Sequence, residues 1–192
     1  VNNNILHNKV KGISSNSKEI KKGYIFVAIK GKNFDGAEYI AEAEKLGAFL
    51  IIAEESCNKK VFSIKKGTAR QIYTLLLSSF YIKQPKQIIG VTGTNGKTST
   101  VEFCRQLWAL AGWRAASMGT LGTKTETAIN KSVYKNKEEN LTTFEPSDLY
   151  KKLKFLVEEK ISHLALEASS HGIDQYRLDG VNFSGAVFTN LS

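Results

Sequence analysis

The sequence predicts an α/β protein: a small N-terminal α/β domain followed by a phosphate-loop α/β domain with a mostly parallel sheet. Three observations carry that expectation. Short β-branched and aromatic runs alternate with segments whose apolar residues recur at helical spacing, the rhythm of a layered α/β fold. One stretch, Ile88-Ile89-Gly90-Val91-Thr92-Gly93-Thr94-Asn95-Gly96-Lys97-Thr98-Ser99-Thr100, passes from a buried-strand pattern through a two-glycine turn into Lys-Thr-Ser at a helix start. A polar stretch from Ile82 to Gln87, holding one of only two prolines, separates two such halves, so the expected domains are 1–84 and 85–192.

Taken in order, residues up to Gly23 are polar and are expected to form a loop around Ser14 to Ser17. Tyr24 to Ile29 is aromatic and β-branched throughout and predicts a strand, ended by the Gly- and Asx-rich turn Gly31-Lys32-Asn33-Phe34-Asp35-Gly36. Ile40, Ala43 and Leu46 predict a helix over 37–46, with Gly47 as its stop. Ala48 to Ala53 and Val61 to Ile64 predict two further strands. A long amphipathic helix is expected over 68–81, with Ile72, Leu75, Leu76 and Ser79 on one face.

After the phosphate-loop strand, a helix is expected from Lys97 to Ala111, with Val101, Cys104, Leu107, Trp108 and Ala111 facing inward and Gly112 closing it. Arg114 to Met118 predicts a strand, and the Lys-, Thr- and Asn-rich stretch 123–140 a hairpin or a mobile excursion. Pro146 suits the first helical position of a helix whose Leu149, Leu153, Leu156 and Val157 form a stripe ending near Lys160. Ser162 to Ala168 and Ser184 to Thr189 predict the last two strands.

The 192 residues, 42% hydrophobic and 23% charged, suffice to bury a proper core. The formal charge of +9 comes mainly from scattered lysines, with only Arg70, Arg105, Arg114 and Arg177 as arginines. Base-edge readout leans on arginine, and no arginine–aromatic platform is present, so nucleic acid is not the expected partner. A lysine-rich surface instead suits polyanionic small molecules. Cys57 and Cys104 are far apart and unpaired in spacing, which fits a reducing cytosol, and no run approaches the length of a membrane span. A cytoplasmic protein, monomeric and without a membrane partner, is the expectation. The chain opens on Val1 instead of Met and is expected to be a piece of a longer one.

The chemistry is concentrated around the glycine turn. Gly93 and Gly96 lack the Cβ atoms that would keep backbone N–H groups from phosphate oxygens, and glycine takes the positive φ such a loop demands. The helix starting near Lys97 aims its unpaired N–H groups and its dipole at the same anion. Lys97 adds a point charge, and the hydroxyl of Thr98 or Ser99 is placed to ligate Mg²⁺. Gly93, Thr94, Asn95, Gly96, Lys97, Thr98 and Ser99 are therefore the candidate ATP-binding residues. The spacing departs from G-x4-G-K-[ST], because Val91 stands where the first glycine is due. Glu167 ends an apolar strand and would emerge beside this loop, where a carboxylate can serve Mg²⁺; the alternative is a buried glutamate paired with a lysine. Lys97 and Glu167 are the candidate catalytic residues. His171 completes no nucleophile arrangement, and Gln175 with Arg177 could clamp a carboxylate or phosphate or form a surface ion pair.

The pattern as a whole resembles the Mur ligases. It is carried by Gly90 to Thr100, Leu141-Thr142-Thr143, Leu166 to Arg177 and Val187 to Ser192, and in the first half by Asn16-Ser17-Lys18, Lys22-Gly23, Phe26-Val27-Ala28, Gly31 and Asp35-Gly36. The resemblance runs the length of the chain and is nearest to the family's ligase for the third peptide residue of the peptidoglycan precursor. It implies a uridine-binding first domain, the N-terminal part of a central ATP-binding domain, and a C-terminal amino-acid-binding domain outside these residues, without which the piece is expected to be inactive.

It also implies ATP and Mg²⁺ as cofactors, with Thr98 and Glu167 as metal ligands. The implied partners are UDP-N-acetylmuramoyl-dipeptide and a diamino acid, meso-diaminopimelate or L-lysine. By the same resemblance Ser17, Lys32, Asn33 and Phe34 would hold the uridine end of the substrate, and Thr142, Thr143, Ser169, Gln175 and Arg177 its muramoyl-dipeptide part. Asn16 and Lys18 replace the family's usual Asp and Arg, and Phe144 stands where Pro often follows the threonine pair. A stand-alone nucleotide-binding module, another Mur ligase and a folylpolyglutamate-type ligase are the alternatives.

Overall fold

The structure is a computed structural model that describes residues 9–31, 34–125 and 142–191. The chain divides into two compact units, Val1–Phe80 and Tyr81–Ser192.

The first unit is a four-stranded, all-parallel sheet in the order β1-β2-β3-β4, built from Gly12–Ser14, Tyr24–Val27, Leu50–Glu54 and Val61–Ile64. A 3-10 turn, Gly36–Tyr39, leads into α1 (Ile40–Lys45), and α2 (Ala69–Tyr81) follows β4. The core gathers Ile20, Phe26, Ala28, Ala43, Ile51, Ala53 and Val61, with Tyr24, Ile40 and Ala48 packed against it. Alternate residues of β2 and β3 reach this cluster, as strand geometry requires.

Two expectations are corrected here. The polar front contains a strand, β1, with Gly12, Ile13 and Ser14 in register with Tyr24, Ile25 and Phe26. Its three residues carry no hydrophobic pattern, and a Cβ at Gly12 would lie 2.5 Å from the end of the Tyr24 ring, which would have to shift. Helix α2 buries Ala69, Tyr73, Thr74 and Leu77, while Leu75 is 44% exposed. The run Leu75-Leu76-Leu77 lets several stripes be drawn at helical spacing, and packing selects the one through Leu77.

The second unit is a five-stranded sheet in the order β7-β6-β8-β5-β9. Its strands are β5 (Gln87–Thr92), β6 (Ala115–Gly119), β7 (Gly122–Thr125), β8 (His163–Glu167) and β9 (Gly185–Phe188), and only the β6–β7 hairpin is antiparallel. Helices α3 (Lys97–Leu110), α4 (Pro146–Glu158) and α5 (Ser170–Asp174) complete it. Val91, Val101 and Ala165 form one core cluster, with Ile89, Cys104 and Trp108 packed on it. Ile88, Leu164 and Leu166 point to the opposite face and are equally buried, so this sheet is covered on both sides. Helix α4 has Pro146 at its start and buries Leu149, Leu153 and Leu156, together with Tyr150.

Helix α3 differs from its expected face. Val101 is buried and Cys104 and Trp108 are half-buried, but Leu107 is 64% exposed and Ala111 lies at the surface. Trp108 and Trp113 instead flank His163 on β8, Trp113 stacked on the imidazole at 4.4 Å between ring centres. Helix α5, in the polar segment after Glu167, carries no apolar stripe and was not anticipated; it begins at a Ser169 cap whose hydroxyl accepts from the Gly172 amide. Of the stretch 123–140, the structure describes only Thr123 to Thr125, in β7.

Polar contacts tie α3 to the sheet. Glu102 accepts hydrogen bonds from Arg105 and Gln106 on its own helix and from the Ser117 hydroxyl of β6 at 2.9 Å. The Arg105 guanidinium, chiefly, holds the Glu102 carboxyl down to about 2, against an ordinary value of 4.5. A carboxyl with a lowered folded-state value stabilises the fold fully above its unfolded value and loses that contribution as pH falls through the folded one. Glu102→Gln is expected to lower unfolding free energy by about 2 kcal/mol at pH 7. In urea titrations its gap to the wild type should close between pH 4.5 and about 2.

Candidate active site

Strand β5 delivers the phosphate-loop sequence to the C-terminal edge of the sheet, where α3 begins. Gly93 and Gly96 both take positive φ, 128° and 82°. At Gly93 there is no room for a side chain: a Cβ would lie 2.2 Å from Thr189 Oγ1 and about 3 Å from the Asn190 backbone. A Cβ at Gly96 would meet nothing within 4 Å, and no side chain caps the start of α3. The space beside Gly96 is therefore open, and no side-chain cap competes for the unpaired N–H groups of the first turn of α3. Lys97 Nζ donates to the carbonyls of Gly93 (2.7 Å) and Thr94 (2.9 Å), which places its ammonium over the loop. Thr98 follows in the first helical turn, half-buried, and Ser99 is exposed.

The loop is shaped from outside by the end of β9. Thr189 Oγ1 donates to the carbonyls of Asn95 (2.7 Å) and Thr92 (3.2 Å). Asn190 pairs with Asn95 in both directions, accepting from its amide at 3.0 Å and donating to its carbonyl at 3.3 Å, while the Asn190 carbonyl accepts from the Thr94 amide. Sequence reasoning gave neither residue a role; the signal lay in Thr-Asn at the C-terminal end of the neighbouring strand.

Glu167 ends β8, in register with Val91 of β5, and is 1% exposed. Its Oε1 accepts from the Thr120 amide at 3.0 Å and its Oε2 from the Thr120 hydroxyl at 3.2 Å. Among the described residues no lysine, arginine or histidine is paired with it, so the alternative of a lysine-paired glutamate finds no support there. A buried carboxylate without a counter-cation is costly unless a cation is bound. No group of three or more His, Cys, Asp or Glu could hold a metal among the described residues. A single carboxylate suits Mg²⁺ shared with nucleotide phosphates, which commonly takes one or two protein carboxylates and completes its shell with phosphate and water.

Beside Glu167 lies a connected polar cluster. Thr143 Oγ1 meets the Ser169 hydroxyl at 2.9 Å, accepts from the Ser169 amide and donates to the Glu167 carbonyl. Thr142 Oγ1 accepts from Thr120 Oγ1 at 3.1 Å. Arg177, almost fully buried, donates to the Thr143 carbonyl, to Gln175 Oε1 from two of its nitrogens, and to Glu145 at 2.8 Å. Thr142, Thr143, Ser169, Gln175 and Arg177 thus stand in one hydrogen-bonded network with Thr120, Glu145 and Glu167. The last link was invisible in sequence because Thr120 and Glu167 are distant along the chain.

In the first unit Ser17 is buried at the start of a 3-10 turn, Ser17–Glu19, and Asn16 caps that turn by accepting from the Lys18 amide at 3.1 Å. Asparagine at this position thus performs the capping that aspartate would. Phe34 is exposed and packs over Gly31, where a Cβ would come within 2.6 Å of its ring. Lys32 and Asn33 lie outside the described residues.

Fold and site together define a nucleotide-type phosphate loop on a parallel α/β sheet, joined to a second parallel α/β unit. Residues 91–192 match the Mur ligase middle domain, and residues 9–78 match the Mur ligase family, catalytic domain. The chain belongs to the Mur ligase family.

It is 41% identical over 186 residues to the UDP-N-acetylmuramoyl-L-alanyl-D-glutamate--2,6-diaminopimelate ligase of Brucella melitensis, covering 95% of this chain and 37% of that protein. It is 42% identical over 187 residues to the ligase of the same name from Rhizobium meliloti, with the same shares covered. A solved structure of a UDP-N-acetylmuramoyl-L-alanyl-D-glutamate--2,6-diaminopimelate ligase superposes with a TM-score of 0.75 at 28% identity, over 95% of this chain and 37% of that one. The fold is shared with MurF ligase from Thermotoga maritima in complex with ADP, at a TM-score of 0.56 and 24% identity, over 94% of this chain and 38% of that one. The chain spans about 37% of the length of the curated relatives it matches. No helix among the described residues is long and apolar enough to cross a membrane.

Gly119, just before Thr120, leaves no room for a side chain, since a Cβ there would lie 2.1 Å from Glu167 Oε1. Gly119→Ala is expected to drive the Glu167 carboxyl from its place and to cost about 1–3 kcal/mol of stability in urea unfolding. A crystal structure of the variant would show the displaced side chain.

Proposed function

We propose that this chain supplies the UDP-substrate-binding and nucleotide-binding parts of an ATP-dependent amide ligase that adds 2,6-diaminopimelate, or L-lysine, to UDP-N-acetylmuramoyl-L-alanyl-D-glutamate. One observation supports this reading most: a buried carboxylate with no counter-cation among the described residues ends the strand beside the phosphate loop. The names of the relatives support the choice of substrates.

The terminal carboxylate of the nucleotide-linked dipeptide attacks the γ-phosphate of ATP, giving an acyl phosphate and ADP. The amine of the diamino acid then displaces phosphate and forms the amide. The first step brings two anions together, so charge neutralisation matters more than proton transfer. Lys97 and the N-terminus of α3 supply positive potential at the phosphates. Gly93, Thr94, Asn95 and Gly96 shape the cradle, with Ser99 at its rim. Mg²⁺, held by the Thr98 hydroxyl, Glu167 and the phosphate oxygens, would add a divalent charge at the γ-phosphate.

Thr142, Thr143, Ser169, Gln175 and Arg177 receive the muramoyl-dipeptide end. Ser17, Lys32, Asn33 and Phe34 receive the uridine end. The reaction would take place in the cytoplasm, where nucleotide-linked precursors are made, and a chain spanning about 37% of its relatives' length is expected to form no amide by itself.

Two titrations of the full chain by calorimetry test the reading. Mg²⁺·ATP is expected to bind the wild type, and Lys97→Ala to weaken that binding at least tenfold, the loss of one charge-assisted contact of about 1.5–3 kcal/mol. UDP-N-acetylmuramoyl-L-alanyl-D-glutamate is expected to bind the wild type and the Lys97→Ala variant alike. Absence of any heat with the UDP-dipeptide would leave a bare nucleotide-binding module, and ATP affinity unaltered in Lys97→Ala would remove the loop from the site.

A further inference from the structure

The turn between β6 and β7 holds a residue that neither the sequence motifs nor the comparisons assign. Thr120 is exposed, makes no part of either core cluster, and yet meets Glu167 through two different atoms. Its amide donates to Oε1 at 3.0 Å and its hydroxyl to Oε2 at 3.2 Å, so the two contacts grip both carboxylate oxygens and fix the rotation of the carboxyl plane. Gly119 lies against the same carboxyl group, with a would-be Cβ 2.1 Å from Oε1.

The hydroxyl has one proton and two acceptors in reach, Glu167 Oε2 at 3.2 Å and Thr142 Oγ1 at 3.1 Å. Both distances are long for O–H···O contacts, as expected when one proton serves two acceptors. Thr120 therefore sits between the carboxylate and the threonine pair.

We infer that Thr120 is a positioning residue for the metal site: its amide and hydroxyl hold the Glu167 carboxylate in the orientation that meets a divalent cation bound with nucleotide. This rests on the reading of Glu167 as a metal ligand. Carboxylates that bind metals are oriented by hydrogen bonds to their own oxygens, and loss of such a partner typically costs 10–100-fold in metal affinity. Thr120→Val exchanges the hydroxyl for a methyl group of similar size, so what it removes is the pair of hydrogen bonds made by Oγ1.

The test is Mn²⁺ binding to the full chain in the presence of saturating AMP-PNP, followed by electron paramagnetic resonance of free Mn²⁺. Thr120→Val is expected to weaken Mn²⁺ about tenfold, and Thr120→Ser to restore it to within about twofold of wild type. Metal-free AMP-PNP affinity should stay at its wild-type value in both variants, which a general loss of the site's structure would not produce. Thr120→Ala, which removes the hydroxyl without adding a methyl group in its place, should match Thr120→Val. Wild-type Mn²⁺ affinity in Thr120→Val and Thr120→Ala, alongside a lost site in Glu167→Gln, would overturn the role of Thr120 alone. Wild-type affinity in Glu167→Gln would overturn the metal reading of Glu167 and this inference with it.

Discussion

Strand β5 lies between β8 and β9 and runs parallel to both, and the site depends on that double pairing. Parallel neighbours end at the same edge of a sheet, so the chain leaving β5 as the phosphate loop, the carboxylate ending β8 and the Thr-Asn pair ending β9 come together without any long loop to place them. The register is tight: Val91 faces Glu167 on one side and Val187 on the other. A slip of one residue would turn Glu167 to the other face of the sheet and withdraw Thr189 and Asn190 from the loop. Around this edge Ile88, Val91, Leu164, Ala165 and Leu166 are all fully enclosed, so the strands that carry the site are held between two packed layers.

Both glycines of the loop are needed, for different physical reasons. Gly96 takes a left-handed conformation with open space around it, so its constraint is backbone conformation. Gly93 combines positive φ with the close approach of Thr189 and Asn190, so any side chain there would push β9 away from the loop. The loop is thus a structure held from two sides: by the ammonium of Lys97 from within, and by the end of β9 from without. Held in this way, the loop commits the amides of Thr94 and Asn95 to Asn190 and keeps a fixed shape over the start of α3.

The local features of this arrangement were legible in the sequence, and the relations across strands were not. The strand-turn-helix from Ile88 through Thr100, Pro146 at the start of a helix, and the stripe through Leu149, Leu153 and Leu156 are patterns of adjacent or helically spaced residues, and the structure forms each of them. The three-residue β1 left no such trace, because its stability comes from the ladder to β2 and not from its own side chains. The inward face of α3 was misjudged at Leu107 because the sheet accepts a narrower stripe than the apolar residues of that helix offer. Thr120, Thr189 and Asn190 gain their roles from partners that include residues 47, 94 and 95 positions away, separations at which spacing along the chain does not show who meets whom.

The chemistry of the polar cluster follows from how its one guanidinium is committed. Arginine presents five N–H donors in a rigid fork. Arg177 makes four contacts with them, two to Gln175 Oε1, one to the Thr143 carbonyl and one to Glu145. Such an arginine acts mainly by fixing the turn at Thr143 and the orientation of Gln175, and a lysine in its place would keep the charge but lose the fork. The hydroxyls of Thr142, Thr143 and Ser169 are likewise bonded within the cluster, to Thr120, to the Glu167 carbonyl and to the Gly172 amide. In the proposed ligase, recognition there would come from the placement of hydrogen-bonding groups more than from charge. Hydroxyls already held by one another and by the backbone keep fixed directions, so a ligand must match a preset pattern of donors and acceptors.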